Sequence, residues 1–131
     1  DALRSALGCL RDHCQGNLVL VFGCGGDRDQ GKRSEMGEIA RDFADTVVVT
    51  DDNPRTEIPA TIRQQIMGAC PGALEVPDRG DAIKVAIDML RTGDLLLIAG
   101  KGHENYQIVG TKKLDYSDLA IVQRAIKADA H

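Results

Sequence analysis

The sequence contains no tryptophan and only two phenylalanines and two tyrosines among 131 residues, so aromatic stacking platforms for single-stranded nucleic acid are missing. An excess of positive charge is missing too: 16 Lys+Arg face 20 Asp+Glu, for a formal net charge of −4. Nucleic acid and anionic membrane both demand a positive field, so no nucleic-acid or membrane partner is expected. No apolar run approaches the ~18–20 residues of a membrane span, and the N-terminal stretch DALRSALGCLRDHC lacks the charged-then-apolar layout of a signal peptide. A soluble, cytoplasmic protein is expected. Cys9, Cys14, Cys24 and Cys70 form no CxxC pair and have no histidines at zinc-ligand spacing. Four reduced, small hydrophobic side chains are the expected reading, with no metal site and no disulfide.

What is present is an ordinary globular balance, 43% hydrophobic and 27% charged residues, at a length that suits one domain over residues 1–131. Apolar runs rich in branched residues recur at Leu18–Phe22, Thr46–Thr50, Leu74–Val76 and Leu95–Ala99. Continuous runs of this kind mark strands covered on both faces. Between them, Met36, Ile39, Ala40 and Phe43 share a helical face, as do Ile58, Ile62, Ile66 and Ala69, and then Ile83, Ala86, Ile87 and Leu90. A helix over about residues 2–13 comes first. The resulting βαβαβαβ order predicts a parallel sheet with right-handed crossovers and helices on both faces, an α/β fold. A small terminal hairpin is expected from Tyr106–Val109 and Lys112–Leu114, then a last helix capped by Asp115 with Leu119, Val122 and Ile126 buried.

Ligands of open parallel sheets sit outside the carboxyl ends of the strands, which directs attention to three loops. The first, Gly23–Arg33, holds the spacing Gly26-x-x-x-x-Gly31-Lys32 of a nucleotide-binding P-loop. Arg33, however, stands where a Ser or Thr hydroxyl must hold Mg²⁺, and Asp27 and Asp29 place negative charge where phosphates would lie. The dinucleotide fingerprint fails as well, because Arg28 occupies its last glycine position. The second loop, Asp51-Asp52-Asn53-Pro54-Arg55, carries two carboxylates, an amide and a guanidinium; its plain alternative is an Asx-type turn with a solvated arginine. The third, Gly100-Lys-Gly-His-Glu104, combines glycines for close backbone approach with a carboxylate. Arg28, Asn53, Arg55 and Glu104 together suit a zwitterionic ligand with more than one carboxylate.

The strings FGCGGDRDQGKR, TDDNPR, AGKGHENYQIVG and LDYSD, in this order, resemble the C-terminal domain of the Mur ligases, and among these the diaminopimelate-adding members. The resemblance covers essentially the whole chain. It implies a Rossmann-like, mostly parallel sheet with a small C-terminal hairpin, forming the last of three domains; the UDP-sugar domain and the central ATPase domain would be absent. It implies that Arg28, Asp52, Asn53, Pro54, Arg55, Gly100 and Glu104 bind meso-2,6-diaminopimelate. Arg28 would hold the carboxylate of the reacting centre, Asn53 and Arg55 the distal carboxylate, and Glu104 the distal ammonium. Asp27 would lie near the ATP ribose. ATP and Mg²⁺ would be bound mainly by the central domain, and UDP-N-acetylmuramoyl-dipeptide by the missing domains. The implied reaction is acyl-phosphate formation on a D-glutamate carboxylate, followed by amine attack and loss of phosphate. This chain would contribute no catalytic residue and no metal ligand, would be monomeric, and would be inactive alone. A freestanding P-loop-like protein and the C-terminal domain of a folylpolyglutamate synthetase are the alternatives. The second is disfavoured because Arg28 and Asn53–Arg55 provide for an additional carboxylated centre.

Overall fold

In the computed structural model, residues 2–26, 30–99 and 106–110 are described. The chain runs α1 (Ala2–His13), β1 (Leu18–Phe22), α2 (Gly31–Phe43), β2 (Thr46–Val49), α3 (Pro59–Ala69), β3 (Leu74–Glu75), α4 (Arg79–Asp88), β4 (Leu95–Ala99) and β5 (Tyr106–Gly110). The strands form one sheet in the order β3-β2-β1-β4-β5. β1 to β4 are parallel, and β5 runs antiparallel to β4, with Leu97 opposite Ile108.

The order follows from the chirality of the crossovers. Passing from β1 to β2 to β3 moves the chain in one direction, so α2 and α3 must cover the same face; the return to β4 on the far side of β1 puts α4 on the other. The alternating side chains of β1 divide accordingly. Leu18, Leu20 and Phe22 pack with α1, α2 and α3, whereas Val19 and Val21 pack with Ala82 and Ala86 of α4. Every residue of β1 and β4 is buried as a result, as the unbroken apolar runs require. α2 and α3 approach closely at Gly37, where a Cβ would meet Ala69 Cβ at 3.0 Å and collide with the Ile66 carbonyl oxygen. Charged residues close the sheet's opposite end: the buried Asp94 carboxylate accepts from the Asn17 and Arg91 backbone N–H groups, each at 2.7 Å.

Three expectations need correction. Ile58 is not on the buried face of α3 but 69% exposed. It is the extended N-cap residue ahead of Pro59, and a residue before proline is held out of helical phase. Ile87 is 46% exposed because α4 touches the sheet through a narrow stripe centred on Ala82 and Ala86, one position out of step. Leu74 is also 46% exposed, since β3 is a two-residue edge strand and not a doubly covered one. Tyr106–Gly110 is a strand, as expected of the first hairpin arm, but it pairs antiparallel with β4, which the sequence did not announce; the expected second arm Lys112–Leu114 and the Asp115-capped helix lie outside the described residues. The four cysteines are free, with Cys24 and Cys70 buried.

Candidate functional site

The strand order reverses on either side of β1, so the carboxyl ends of β1, β2 and β4 meet where such sheets bind ligands. The second loop leaves β2 there. Its start is sewn to its neighbours: the Thr50 N–H donates to the Phe22 carbonyl at 3.0 Å, and the Thr50 hydroxyl and Asp51 N–H both donate to the Pro77 carbonyl. Asp52 Oδ1 accepts from the Asn53 N–H at 2.8 Å, and Asn53 Oδ1 from the Arg55 N–H at 3.2 Å. The Asx-type turn is therefore real, but Arg55 is not merely solvated. Its Nη1 donates to the Gly26 carbonyl at 2.7 Å, while the Gly26 N–H donates to the Asn53 carbonyl at 2.7 Å. Two backbone segments from different loops are thus joined reciprocally at Gly26, with no room for a side chain: a Cβ would overlap the Pro54 carbonyl and lie 3.1 Å from its Cα. Arg55 adopts φ +50°, and among the described residues no other non-glycine residue has a positive φ. A backbone held in this region outside glycine costs free energy and persists only where its surroundings enforce it, a pattern concentrated at ligand sites.

Two buried arginines brace the loop from below. Arg33, 1% exposed, forms a two-pronged pair with Glu57 through Nη2 at 2.6 Å and Nη1 at 3.0 Å, and donates to Gln65 Oε1 at 2.7 Å and to the Gly25 carbonyl at 3.2 Å. First loop, second loop and α3 converge on this one guanidinium. Arg63 donates through Nε to Glu75 at 2.7 Å and through Nη1 to Asp51, and these partners raise its pKa, the Glu75 bond first. Burial pushes the Cys24 thiol up to about 11, against the lowering influence of Arg33, so it sits in the first loop as a neutral group and not as a nucleophile.

Beside the braced loop lies a cleft of about 550 Å³ lined by Asp51, Asp52, Asn53, Pro54, Pro77, Asp78 and Arg79. Three carboxylates and one guanidinium make a wall suited to an ammonium group, with Arg55 next in sequence offering charge-assisted donors to a carboxylate. Of the residues singled out from sequence, the structure groups Asp52, Asn53, Pro54 and Arg55 in this loop; Asp27, Arg28, Gly100 and Glu104 lie outside the described residues. Sequence reasoning missed Gly26, Glu57, Arg63 and Arg79 as site-building groups. It treated Arg33 only as a P-loop defect, although a charged residue three positions before Met36 on the apolar face of α2 is itself a sign of buried pairing. No cluster of three or more His, Cys, Asp or Glu capable of holding a metal ion occurs among the described residues. No described helix is long and apolar enough to cross a membrane.

The sequence profile of the family described as "Mur ligase, glutamate ligase domain" matches residues 1–102. Two curated relatives, both named UDP-N-acetylmuramoyl-L-alanyl-D-glutamate--2,6-diaminopimelate ligase, are similar to this chain. That of Rhizobium meliloti (strain 1021) is 56% identical over 126 residues, which is 96% of this chain and 26% of the relative. That of Mesorhizobium japonicum is 52% identical over 130 residues, 99% of this chain and 27% of the relative. A solved structure of a ligase of the same name aligns over 98% of this chain and 27% of its own, with 41% identity and a TM-score of 0.69. The chain spans about a quarter of the length of the proteins it matches.

Proposed function

The chain belongs to the Mur ligase family, and from that membership we propose that it acts as the C-terminal, amino-acid-binding domain of a three-domain ligase. The ligase would add meso-2,6-diaminopimelate to UDP-N-acetylmuramoyl-L-alanyl-D-glutamate in peptidoglycan synthesis. The observation that carries this reading is the stitched second loop: Asp52, Asn53 and Arg55 sit on a backbone anchored to the first loop at Gly26, beside an acidic cleft. Asn53 Oδ1 is spent on the Arg55 N–H, which leaves its amide nitrogen as the donor. Arg55 uses Nη1 on Gly26 and keeps further donors for a ligand. Both therefore suit a carboxylate, in keeping with recognition of the distal carboxylate of diaminopimelate. Arg28 is assigned the carboxylate of the reacting centre, and Gly100 and Glu104 the distal ammonium side.

ATP and Mg²⁺ are proposed to belong to the central domain of the parent enzyme, with Asp27 at most near the ribose. The residues of this domain do not fit a triphosphate cradle. Arg33, at the position that would need a hydroxyl for Mg²⁺, is turned into the core and committed to Glu57, Gln65 and Gly25. The P-loop reading is dropped on that ground. This domain's share is orientation: it holds the substrate amine where the activated D-glutamate carboxyl is presented, a contribution independent of acid–base chemistry. The ligase is proposed to work as a cytoplasmic monomer.

The test is Arg55→Ala in the full-length ligase. Losing a charge-assisted contact costs about 1.5–3 kcal/mol, so kcat/KM for diaminopimelate should fall by roughly 10- to 100-fold or more, with ATP and UDP-dipeptide affinities little changed. Lysine, which keeps the distal ammonium but has no distal carboxylate, should gain relative to diaminopimelate. An unchanged diaminopimelate-to-lysine ratio would sink the proposal.

A further inference from the structure

Arg79 lies outside the motifs quoted above, yet it joins the cleft wall beside the second loop to the end of β4. It is the first residue of α4, directly after Asp78, whose carboxylate accepts from the Asp81 N–H at 2.9 Å and so caps the helix. The Arg79 side chain leaves the helix. Its Nη2 donates at 2.8 Å to the carbonyl of Ala99, the last residue of β4, so it ties the start of α4 to the end of that strand. Its Nη1 is buried without a hydrogen-bond partner among the described residues. The same residue lines the cleft with Asp51, Asp52, Asn53 and Pro54.

The backbone around it is tied to the second loop just as firmly. Pro77, two residues earlier, accepts from both the Thr50 hydroxyl and the Asp51 N–H, and the Val76 N–H donates to the Val49 carbonyl at 3.0 Å. The segment Val76–Arg79 is thus a strap between the carboxyl ends of β2 and β4, two strands separated in the sheet by β1. A guanidinium with one committed nitrogen and one unpartnered, buried nitrogen is costly to maintain. The carboxylates of Asp51, Asp52 and Asp78 share the cleft wall with it.

We infer that Arg79 is a positioning residue for the amino-acid site, holding the end of β4 at a set distance from the Asp52–Arg55 loop. The inference rests on the reading of that loop as the amino-acid site. It assigns Arg79 no contact with the reacting atoms. A ligand gripped from both strand ends is sensitive to their separation, because its contacts weaken once the two sets of groups stand more than about 0.5 Å from the geometry it needs.

The experiment compares the full-length ligase carrying Arg79→Ala, Arg79→Lys or Arg55→Ala with the unaltered enzyme, measuring kcat and KM for diaminopimelate, ATP and the UDP-dipeptide. Arg79→Ala should raise the diaminopimelate KM by roughly 10- to 100-fold. The other two KM values and the melting temperature should stay in place. Arg79→Lys should recover part of the loss, because one ammonium can still donate to the Ala99 carbonyl. An unchanged diaminopimelate KM in Arg79→Ala overturns the inference. So does a joint rise of all three KM values with a fall in melting temperature in both Arg79 variants, which would make the residue a general strut. If Arg79→Ala does not fold, Arg79→Lys decides alone, by whether its diaminopimelate KM rises apart from the other two. Arg55→Ala separates the two claims: if it leaves diaminopimelate use intact, the site reading fails, whereas its expected effect alongside an inert Arg79 refutes only the role of Arg79.

Discussion

Replacing Gly26 by alanine tests whether the first and second loops are one unit. The added Cβ would overlap the Pro54 carbonyl, a backbone group that no side-chain rotation can move aside. The loops would have to part, and two bonds would go: Gly26 N–H to the Asn53 carbonyl and Arg55 Nη1 to the Gly26 carbonyl. A neutral hydrogen bond contributes about 0.5–1.5 kcal/mol and a charge-assisted one about 1.5–3 kcal/mol, together about 2–4.5 kcal/mol. Alanine returns about 0.4–1 kcal/mol by restricting the unfolded chain, since φ at Gly26 is not in the left-handed region. The net loss is about 1–4 kcal/mol, a drop of roughly 3–16 °C in melting temperature for a domain of this size. Gly68→Ala is the control. Nothing lies within 4 Å of its added Cβ, and the position is an exposed one inside α3, so it should gain about 0.5–1 kcal/mol. Urea unfolding of the 131-residue chain, read by circular dichroism, measures both. A Gly26→Ala variant as stable as its parent, or one that shifts in the same direction as Gly68→Ala, would refute the argument that close backbone approach at Gly26 holds the loops together.

Arg63→Met should lower stability by about 1–2 kcal/mol in urea unfolding, because Asp51 and Glu75 lose their shared partner while remaining partly solvated; 0.5 M salt should shrink the difference from the parent. Cys24 sets a pH dependence whose sign follows from its raised pKa: the folded state keeps the proton that the unfolded state releases near pH 9. Its contribution is therefore complete below about pH 9 and declines as pH rises toward 11, by at most about 2–3 kcal/mol. Cys24→Ala should flatten that alkaline decline in a pH series of unfolding curves, and an equally steep decline in both proteins would contradict the burial argument.

Much of this protein can be read from the order of its residues. Leu18–Phe22 and Leu95–Ala99 announce doubly covered strands because a five-residue apolar run has no polar face to offer water, and both are buried throughout. The parallel topology follows from the alternation of strands and helices, and the place of the candidate site from the reversal of strand order at β1. Asp52, Asn53, Pro54 and Arg55 are visible as a group because they are contiguous. The phases of individual side chains are less legible: periodicity places Ile58 and Ile87 inward, but a proline that ends helical phase and a two-alanine contact stripe leave them in solvent.

What tertiary structure alone decided is how the contiguous motif is held. Gly26 and Arg55 are 29 positions apart, Arg33 and Glu57 are 24 apart, and Arg79 and Ala99 are 20 apart. Each pair is brought together only because parallel strands deliver successive loops to the same edge. Local sequence encodes strand and helix through nearest-neighbour sterics and the spacing of apolar side chains. It carries no local mark of which carbonyl a guanidinium will meet, since that partner is chosen by the packing of elements remote in the chain. The residue types of the candidate site were therefore written in the sequence, while their geometry, including the left-handed Arg55 and the bridge through Arg79, came from the fold.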